Sequence, residues 1–152
     1  MKRHGLRVNS ILFVLASFLL AASAIFAAQQ APQTVAWNTL KLLNDSTPPN
    51  SPIRQLQGKT VSIPGFMVPL EDDAQEVTEF LLVPYAGACI HVPPPPPNQM
   101  VYVQLANGGK AKMSFTEPIV VTGTLKISKV KSPYGDVSFN MSGDTVKPYV
   151  EQ

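Results

Sequence analysis

The chain reads KTVSIPGFMV over residues 59–68, an alternating apolar and polar run that Pro64 and Gly65 interrupt. Alternation with a period of two is typical of a β-strand, and an internal Pro-Gly pair indicates a bulge or a sharp bend. A second stretch, IVVTGTLKI over residues 119–127, is the longest predicted strand and has Gly123 at its middle. A glycine there predicts tight coiling at the corner of a small barrel.

Shorter strands are predicted around these two, because apolar or alternating runs recur between turn residues. They lie at residues 80–83, 100–105, 112–115 and 135–141. The first of them is apolar on both faces, which predicts a central strand. Five or six short strands with little helix predict a mainly β fold, a small OB-like antiparallel barrel with a short N-terminal helical lead-in. A small β-sandwich is the alternative.

Residues 1–28 have the three-part build of a secretory signal peptide. A basic front, formed by Lys2, Arg3 and Arg7, precedes an apolar stretch at residues 11–26, and small residues follow. This stretch is shorter than the about 20 apolar residues of a membrane span, so we expect cleavage, with an uncleaved anchor as the alternative. No cysteine lies near the cleavage region, which excludes lipid attachment there. The expected location is the periplasm.

Removal of this signal would change the size and the charge of the protein. Residues 29–57 are expected to form a lead-in and linker, with a short helix over 35–43 that packs Trp37 on the domain, and residues 58–150 the barrel. The chain has 12 Lys+Arg against 10 Asp+Glu, but three basic residues leave with the signal, so the mature net charge is −1. We therefore expect no nucleic-acid partner, and membrane contact only through a partner or an uncleaved anchor.

Cys89 is the only cysteine of the chain, and it lies two residues before His91, which would be the only histidine after cleavage. In an extended segment the two side chains would share one face, with Cα atoms about 6.6 Å apart. A thiolate and an imidazole favour Zn(II) or copper, and zinc takes three or four ligands. Further ligands could come from a partner chain. The candidates within the chain are Glu71, Asp72 and Asp73 and, for Cu(I), Met67 and Met100.

Two other interpretations of this pair stay open. In one, Cys89 is a small buried hydrophobic residue and His91 a hydrogen-bonded residue at the mouth of the loop. In the other, an adjacent imidazolium lowers the pKa of the thiol, and Cys89 is the nucleophile of a thiol-dependent enzyme. A hydrolase of that kind also needs an orienting group and an oxyanion hole, which the sequence does not reveal. The sequence therefore favours a protein that is not an enzyme.

A run of five prolines follows the pair directly and ends in two amide residues. The run should adopt a polyproline II helix of about 15 Å, at roughly 3.1 Å per residue, with free carbonyl groups. It could be a rigid rim beside the pair, a contact surface for aromatic residues of a partner, or a stiff connector. We favour the rigid rim, because the terminal amides can hydrogen-bond backbone. The candidate partner-contact residues are Pro93, Pro94, Pro95, Pro96, Pro97, Asn98 and Gln99.

Three segments carry a resemblance to a known family, namely residues 65–70, residues 80–85 and the string GACIHVPPPPPNQ at 87–99. Over residues 56–127 the chain resembles the bacterial exported domain-of-unknown-function 3299 family. The resemblance implies a periplasmic or lipoprotein location, frequent association with ABC-type envelope transport systems and, for some members, a link to zinc. It implies no reaction. The chain departs from the lipoprotein members because it lacks a lipidation cysteine.

These observations predict a periplasmic accessory protein that binds a transition metal, zinc or copper, or docks to an envelope ABC-type transport system. One alternative is a thiol-dependent enzyme that uses Cys89 and His91. The other is a structural or interaction module that uses the polyproline ridge.

Overall fold

The structure is a computed structural model that describes residues 31–71, 75–89 and 92–150. The expected signal peptide lies outside the described residues. The lead-in contains strand β1 (Gln33–Thr34) and helix α1 (Trp37–Leu40). Short 3-10 turns lie at Arg54–Leu56, Pro97–Gln99 and Ala106–Gly108. The remaining strands are β2 (Thr60–Pro69), β3 (Glu76–Val77), β4 (Glu79–Val83), β5 (Val101–Leu105), β6 (Ala111–Lys112), β7 (Ile119–Ser132) and β8 (Gly135–Pro148).

Five strands form a hydrogen-bonded ring in the order β2-β4-β5-β8-β7, which closes because β7 pairs with β2 as well as with β8. This is the strand order of an OB-like fold, so the prediction of a mainly β, OB-like fold is confirmed. One detail differs from a fully antiparallel barrel, because β5 and β8 are parallel. Strand β1 adds to β2 in parallel, and β3 pairs with β6 in a separate two-stranded sheet.

Strand β2 changes partner at the predicted bend. Its first half pairs with β7 as far as Gly65, and its second half pairs with β4 from Phe66 onward. The change of partner brings the β4 backbone against Gly65, where a Cβ atom would lie 2.6 Å from the carbonyl oxygen of Val83. The bend therefore requires the absence of a side chain at this position.

The long hairpin of β7 and β8 also contains a close approach of two strands. Its register shifts between Thr122 and Gly123, which marks a β-bulge. A Cβ atom on Gly123 would overlap the carbonyl oxygen of Ser142 and would lie 2.8 Å from the Cα atom of Gly143. The coiling that the sequence predicted at Gly123 is thus present as backbone-to-backbone contact.

Two strands are longer and one is shorter than the sequence predicted. Strands β7 and β8 each have 14 residues. Most side chains beyond residue 127 of β7 are exposed, so no apolar alternation marks the extension. The strand predicted at 112–115 is reduced to β6, because its partner β3 offers only two residues for pairing.

Two apolar clusters lie on opposite faces of the sheet. The inner cluster fills the ring and includes Phe80, Leu82 and Phe139, together with Leu40 of the lead-in. The outer cluster covers the other face of β2, β4 and β5 and contains Val68, Leu81, Val83, Ala88, Met100 and Val137. Strand β4 contributes to both clusters because alternate side chains point to opposite faces, which confirms the prediction of a central strand.

The lead-in packs on the ring as predicted. Trp37 is partly buried against the inner cluster, and its indole Nε1 donates a 2.7 Å hydrogen bond to the carbonyl oxygen of Pro64. The helix around it is shorter than the predicted range of 35–43. In the described ranges, none of the helices has the length and apolar character needed to cross a membrane.

Replacing Gly123 with alanine should weaken the fold strongly. The new Cβ atom would force β7 and β8 apart, so we expect the free energy of unfolding to fall by about 3 kcal/mol. Urea unfolding followed by circular dichroism measures the change. Thr124→Ala, one residue further along β7, is the matched control and should cost less than about 1 kcal/mol. Equal losses for the two variants would contradict the close approach at Gly123.

Candidate functional site

The connection between β4 and β5 carries the predicted site. We call residues 84–92 the Cys89 loop and residues 93–97 the proline rim. The loop folds back over the outer cluster, because the fully buried Ala88 belongs to that cluster and Cys89 packs against it. An isolated parallel bridge joins Ala88 to Val92 and closes the loop. Ile90 and His91 lie outside the described residues.

Cys89 has a left-handed backbone, with a φ of 67°. Such a conformation is uncommon for a residue other than glycine and costs about 1–3 kcal/mol, which the surrounding structure has to offset. The segment is therefore not extended at Cys89, and extension was the condition under which Cys89 and His91 would share one face. Since His91 lies outside the described residues, the convergence of the two side chains stays a prediction.

The thiol of Cys89 is in a largely apolar environment. It is half-buried against the outer cluster, and burial raises the pKa of the Cys89 thiol above its ordinary value. Desolvation has this effect because it disfavours the charged thiolate. Cys89 is consequently held as the protonated thiol near neutral pH, which is the less nucleophilic form.

Among the described residues, the other predicted metal ligands lie in different parts of the fold, and Met100 shares the outer cluster with Cys89. Glu71 is exposed, and Asp72 and Asp73 lie outside the described residues. Met67 packs inside the ring, whereas Met100 belongs to the outer cluster, and each is only 1% exposed. Over the described ranges, no three His, Cys, Asp or Glu side chains lie close enough together to hold a metal ion.

The far end of the proline rim is fixed to the lead-in. Asn98 Nδ2 donates hydrogen bonds to the carbonyl oxygens of Lys41, at 3.0 Å, and Leu43, at 2.9 Å. The Gln99 N–H donates a 2.8 Å bond to the carbonyl oxygen of Pro96, which closes a 3-10 turn. Asn98 therefore bonds to backbone, as the sequence predicted, and its amide is engaged within the chain.

An exposed apolar surface lies between these two fixed ends. Tyr85 is 43% exposed and Val92 is 47% exposed. Pro95 is buried, so the rim is held down at its middle, while the prolines on either side of it face solvent: Pro93, Pro94, Pro96 and Pro97. The described residues of the loop and the rim therefore present exposed apolar side chains, and the rim is fixed at its middle and at its far end.

A polar contact at the outer face was not predicted from the sequence. The hydroxyl of Tyr102, on β5, donates a 2.7 Å hydrogen bond to Glu79 Oε2, on β4. Burial, together with this hydrogen bond and the negative charge of Glu79, raises the pKa of Tyr102 to about 12. The two residues are diagonal neighbours in the β4–β5 ladder, so only the strand register could have revealed the pair.

A family model covers nearly all of this architecture. The model described as Protein of unknown function (DUF3299) matches residues 21–148. The chain belongs to the DUF3299 family. A crystal structure of a DUF3299 family protein from Pseudomonas aeruginosa PAO1 at 2.45 Å resolution is 36% identical to it, with a TM-score of 0.66. The match covers 81% of this chain and 99% of that chain, so the resemblance to the family is confirmed.

Another solved structure, of a Leishmania major Friedlin protein assigned as an aspartyl-tRNA synthetase, is less similar to this chain. The overlap has 13% identity and a TM-score of 0.44, and covers 82% of this chain and 22% of that chain. No curated protein matches the sequence. The comparisons thus establish the family, whose name assigns no activity, and the predicted location, metal and partner stay predictions.

The half-buried position of Cys89 in an apolar environment predicts slow alkylation. Because burial raises the pKa of its thiol, native protein should react with iodoacetamide at least about tenfold more slowly near pH 7.5 than the same protein unfolded in guanidinium. The native rate should keep rising with pH through about pH 9. The rates can be followed by mass spectrometry. A plateau below about pH 8 would contradict the prediction and would indicate a low-pKa thiolate.

The Tyr102–Glu79 hydrogen bond should contribute modestly to stability. Tyr102→Phe removes it, so we expect the free energy of unfolding to fall by about 1 kcal/mol near pH 7. Because folded Tyr102 holds its proton more tightly than the unfolded chain, this contribution is present below about pH 10 and is lost as the pH rises toward 12. Urea unfolding near pH 7 and pH 11 tests both statements.

Tyr149→Phe is the control for this experiment, since Tyr149 is 44% exposed and lies on another part of the surface. It should leave the stability unchanged at both pH values. The assignment would be contradicted if wild type and Tyr102→Phe lost stability equally between the two pH values.

Proposed function

We propose that this DUF3299 protein is an exported accessory protein that docks to a partner through the Cys89 loop and the proline rim. The observation that carries the proposal is that exposed apolar residues lie on a segment that internal contacts fix in place. The exposed prolines lie between two internal attachments, the Ala88–Val92 bridge and the hydrogen bonds of Asn98. Exposed Val92 forms one end of that bridge, and exposed Tyr85 precedes it in the chain. A preorganised surface loses little conformational entropy on binding, which favours docking.

The chemistry of the surface defines the partner that it fits. Rim prolines offer flat apolar faces and carbonyl acceptors, which aromatic rings and hydrogen-bond donors of a partner can engage. The resemblance to exported proteins associated with transport systems supports an envelope ABC-type transport component as the partner, and a periplasmic location for the complex.

A transition metal, zinc or copper, is the second candidate ligand. It is favoured by a thiol that no disulfide engages, on a cysteine whose own backbone is left-handed. The described residues alone do not complete such a site, so His91, Asp72, Asp73 or a residue of a partner would have to supply further ligands. Since burial raises the pKa of Cys89 and a metal binds the thiolate, affinity would increase with pH.

The thiol-dependent enzyme has less support. A catalytic cysteine needs a lowered pKa, whereas the apolar surroundings of Cys89 raise the pKa of its thiol.

Site-specific photo-crosslinking in the envelope of the native host tests the docking proposal. Benzoylphenylalanine at Val92 should form adducts with an ABC-type transport component, because this side chain is 47% exposed on the proposed surface. The same group at Asp136, an exposed residue of the β7–β8 hairpin, should not. Mass spectrometry identifies the adducts. Equal adducts from both positions, or adducts without a transport component, would reject the proposed partner.

The contribution of the rim is tested by a triple variant that spares the buried Pro95. Alanine at the three exposed positions 93, 94 and 96 should reduce the adduct yield at Val92 at least about fivefold, because the proline faces and the rigid conformation are lost. Alanine at the exposed Pro48 and Pro49 of the lead-in is the matched control. Undiminished crosslinking in the triple variant would show that the rim is not the contact surface.

Metal binding is tested separately by calorimetric titration of the reduced mature protein with Zn(II), and with Cu(I) held by a competing chelator. A site formed by Cys89 and His91 should bind with micromolar or tighter affinity, a dissociation free energy of about 8 kcal/mol or more. Cys89→Ser and His91→Ala should each abolish the binding. Weaker affinity, or binding that both variants retain, would reject this candidate.

A further inference from the structure

The five prolines of the proline rim differ in exposure in a regular way. Pro95, at the centre, is buried, and the two prolines on either side of it are exposed: Pro93, Pro94, Pro96 and Pro97. A polyproline II helix has three residues per turn, so its side chains form three edges that run along the axis. Pro95 lies on the edge that faces the fold, and the other two edges face solvent.

The backbone of the rim has the polyproline II conformation. Pro96 has a φ of −57° and a ψ of 154°, within about 20° of the typical values of about −75° and +145°. Each earlier proline of the rim also precedes a proline, so its ring fixes φ and its neighbour keeps ψ extended. None of the peptide bonds in the described ranges is cis. The rim is therefore preformed as a threefold helix up to the 3-10 turn at Pro97–Gln99.

The threefold repeat assigns each exposed proline to one of two edges. Pro93 and Pro96 share one edge, and Pro94 and Pro97 share the other, because residues three apart lie on the same side of the helix. The two rings of an edge are about 9 Å apart along the axis, at roughly 3.1 Å per residue. The rim thus displays two parallel rows of pyrrolidine rings, each with its rings three residues apart.

The backbone of the rim offers hydrogen-bond acceptors and no donors, since proline has no N–H. The carbonyl oxygen of Pro96 accepts from the N–H of Gln99. Among the described residues, no donor is bonded to the carbonyl oxygens of the exposed Pro93 and Pro94. Residues 92–99 contain no charged side chain. A complementary surface must therefore bring flat apolar faces together with hydrogen-bond donors, and it gains nothing from charge.

Tyrosine and tryptophan are the side chains that combine these two properties. Each has a flat apolar ring and a single polar donor at its tip, the phenolic O–H or the indole N–H. A β-strand of a partner could not pair with the rim, because the rim has no N–H groups to donate. Aromatic-lined grooves are the known receptors of polyproline II segments whose prolines are three residues apart.

We propose, as an extension that rests on the proposed docking function, that the partner receives the proline rim in a groove lined by tyrosine and tryptophan rings. The rings of the groove stack on both exposed edges, and their polar tips donate to the carbonyl oxygens of Pro93 and Pro94. Pro95 faces the fold and makes no contact with the partner.

Paired substitutions distinguish recognition of the two edges from general apolar contact. The readout is the adduct yield of benzoylphenylalanine placed at Val92, as in the test of docking. Pro93→Leu with Pro96→Leu alters one edge. Pro94→Leu with Pro97→Leu alters the other. Each double variant should reduce the yield at least about fivefold, because leucine keeps the apolar surface but loses the ring and the fixed φ.

The matched control is Pro48→Leu with Pro49→Leu, two exposed prolines of the lead-in, which should leave the yield unchanged. Unfolding midpoints of all variants separate lost recognition from lost folding. Retained yield in both rim variants, or a loss for one edge alone, would overturn the two-edged groove and leave docking in place. Absence of a Val92 adduct in the chain with all its prolines would instead reject the docking proposal, and this inference with it.

Substitutions in the partner test the aromatic groove and leave this chain unaltered. Tandem mass spectrometry of the Val92 adduct should locate it in a segment of the partner that contains tyrosine or tryptophan. Replacing those rings with leucine should lower the adduct yield at least about fivefold, whereas phenylalanine, which keeps a flat ring, should retain more of it. A cross-linked segment without aromatic residues, or equal yields with leucine and phenylalanine, would overturn the proposal.

Discussion

Closure of the ring depends on β2, which pairs with β7 along its first half and with β4 along its second half. The change of partner takes place at Gly65, where the carbonyl oxygen of Val83 lies too close to leave room for a side chain. The lead-in is attached at the same bend, because Trp37 donates its indole hydrogen bond to Pro64. A substituent at Gly65 would therefore separate β2 from β4, and would disturb both the ring interior and the outer face on which the Cys89 loop rests.

The outer face determines where the Cys89 loop can lie. Because β4 is apolar on both faces, Leu81 and Val83 would be exposed to water unless another segment covered them. The connection that follows β4 provides this cover through the buried Ala88 and the half-buried Cys89. In OB folds the corresponding strands commonly form the ligand-binding face. Here the chain's own connection occupies that face, so a partner on this side meets the loop and the rim instead of the strands.

The apolar pattern of the sequence predicted β2, β5 and the first half of β7, whose side chains alternate between core and solvent, and β4, which is apolar on both faces. It also placed the bend at Gly65 and the close approach at Gly123, because a glycine inside a strand usually marks a bulge, a bend or a neighbouring backbone in contact. The extended hairpin beyond Ile127 was not predicted, since its side chains are mostly exposed. The left-handed backbone at Cys89 does not alter the pattern of apolar residues, so the sequence was compatible with an extended segment there. Strand β8 continues beyond the end of its pairing with β5, a matter of register that a single sequence does not specify.

The two proposed events at the Cys89 loop, docking and metal binding, would be coupled through the same thiol. A partner that covers Tyr85 and Val92 would remove further water from Cys89, and desolvation favours the neutral thiol over the thiolate that a metal requires. The two events would then oppose each other. By linkage, a bound metal would lower the affinity for the partner by the same factor with which the partner lowers the affinity for the metal. The sign of this coupling reverses if the partner itself contributes a ligand to the metal, because the bound cation then offsets the cost of burying the thiolate. The direction of this coupling therefore distinguishes a metal site that belongs to the chain alone from one that is completed in a complex.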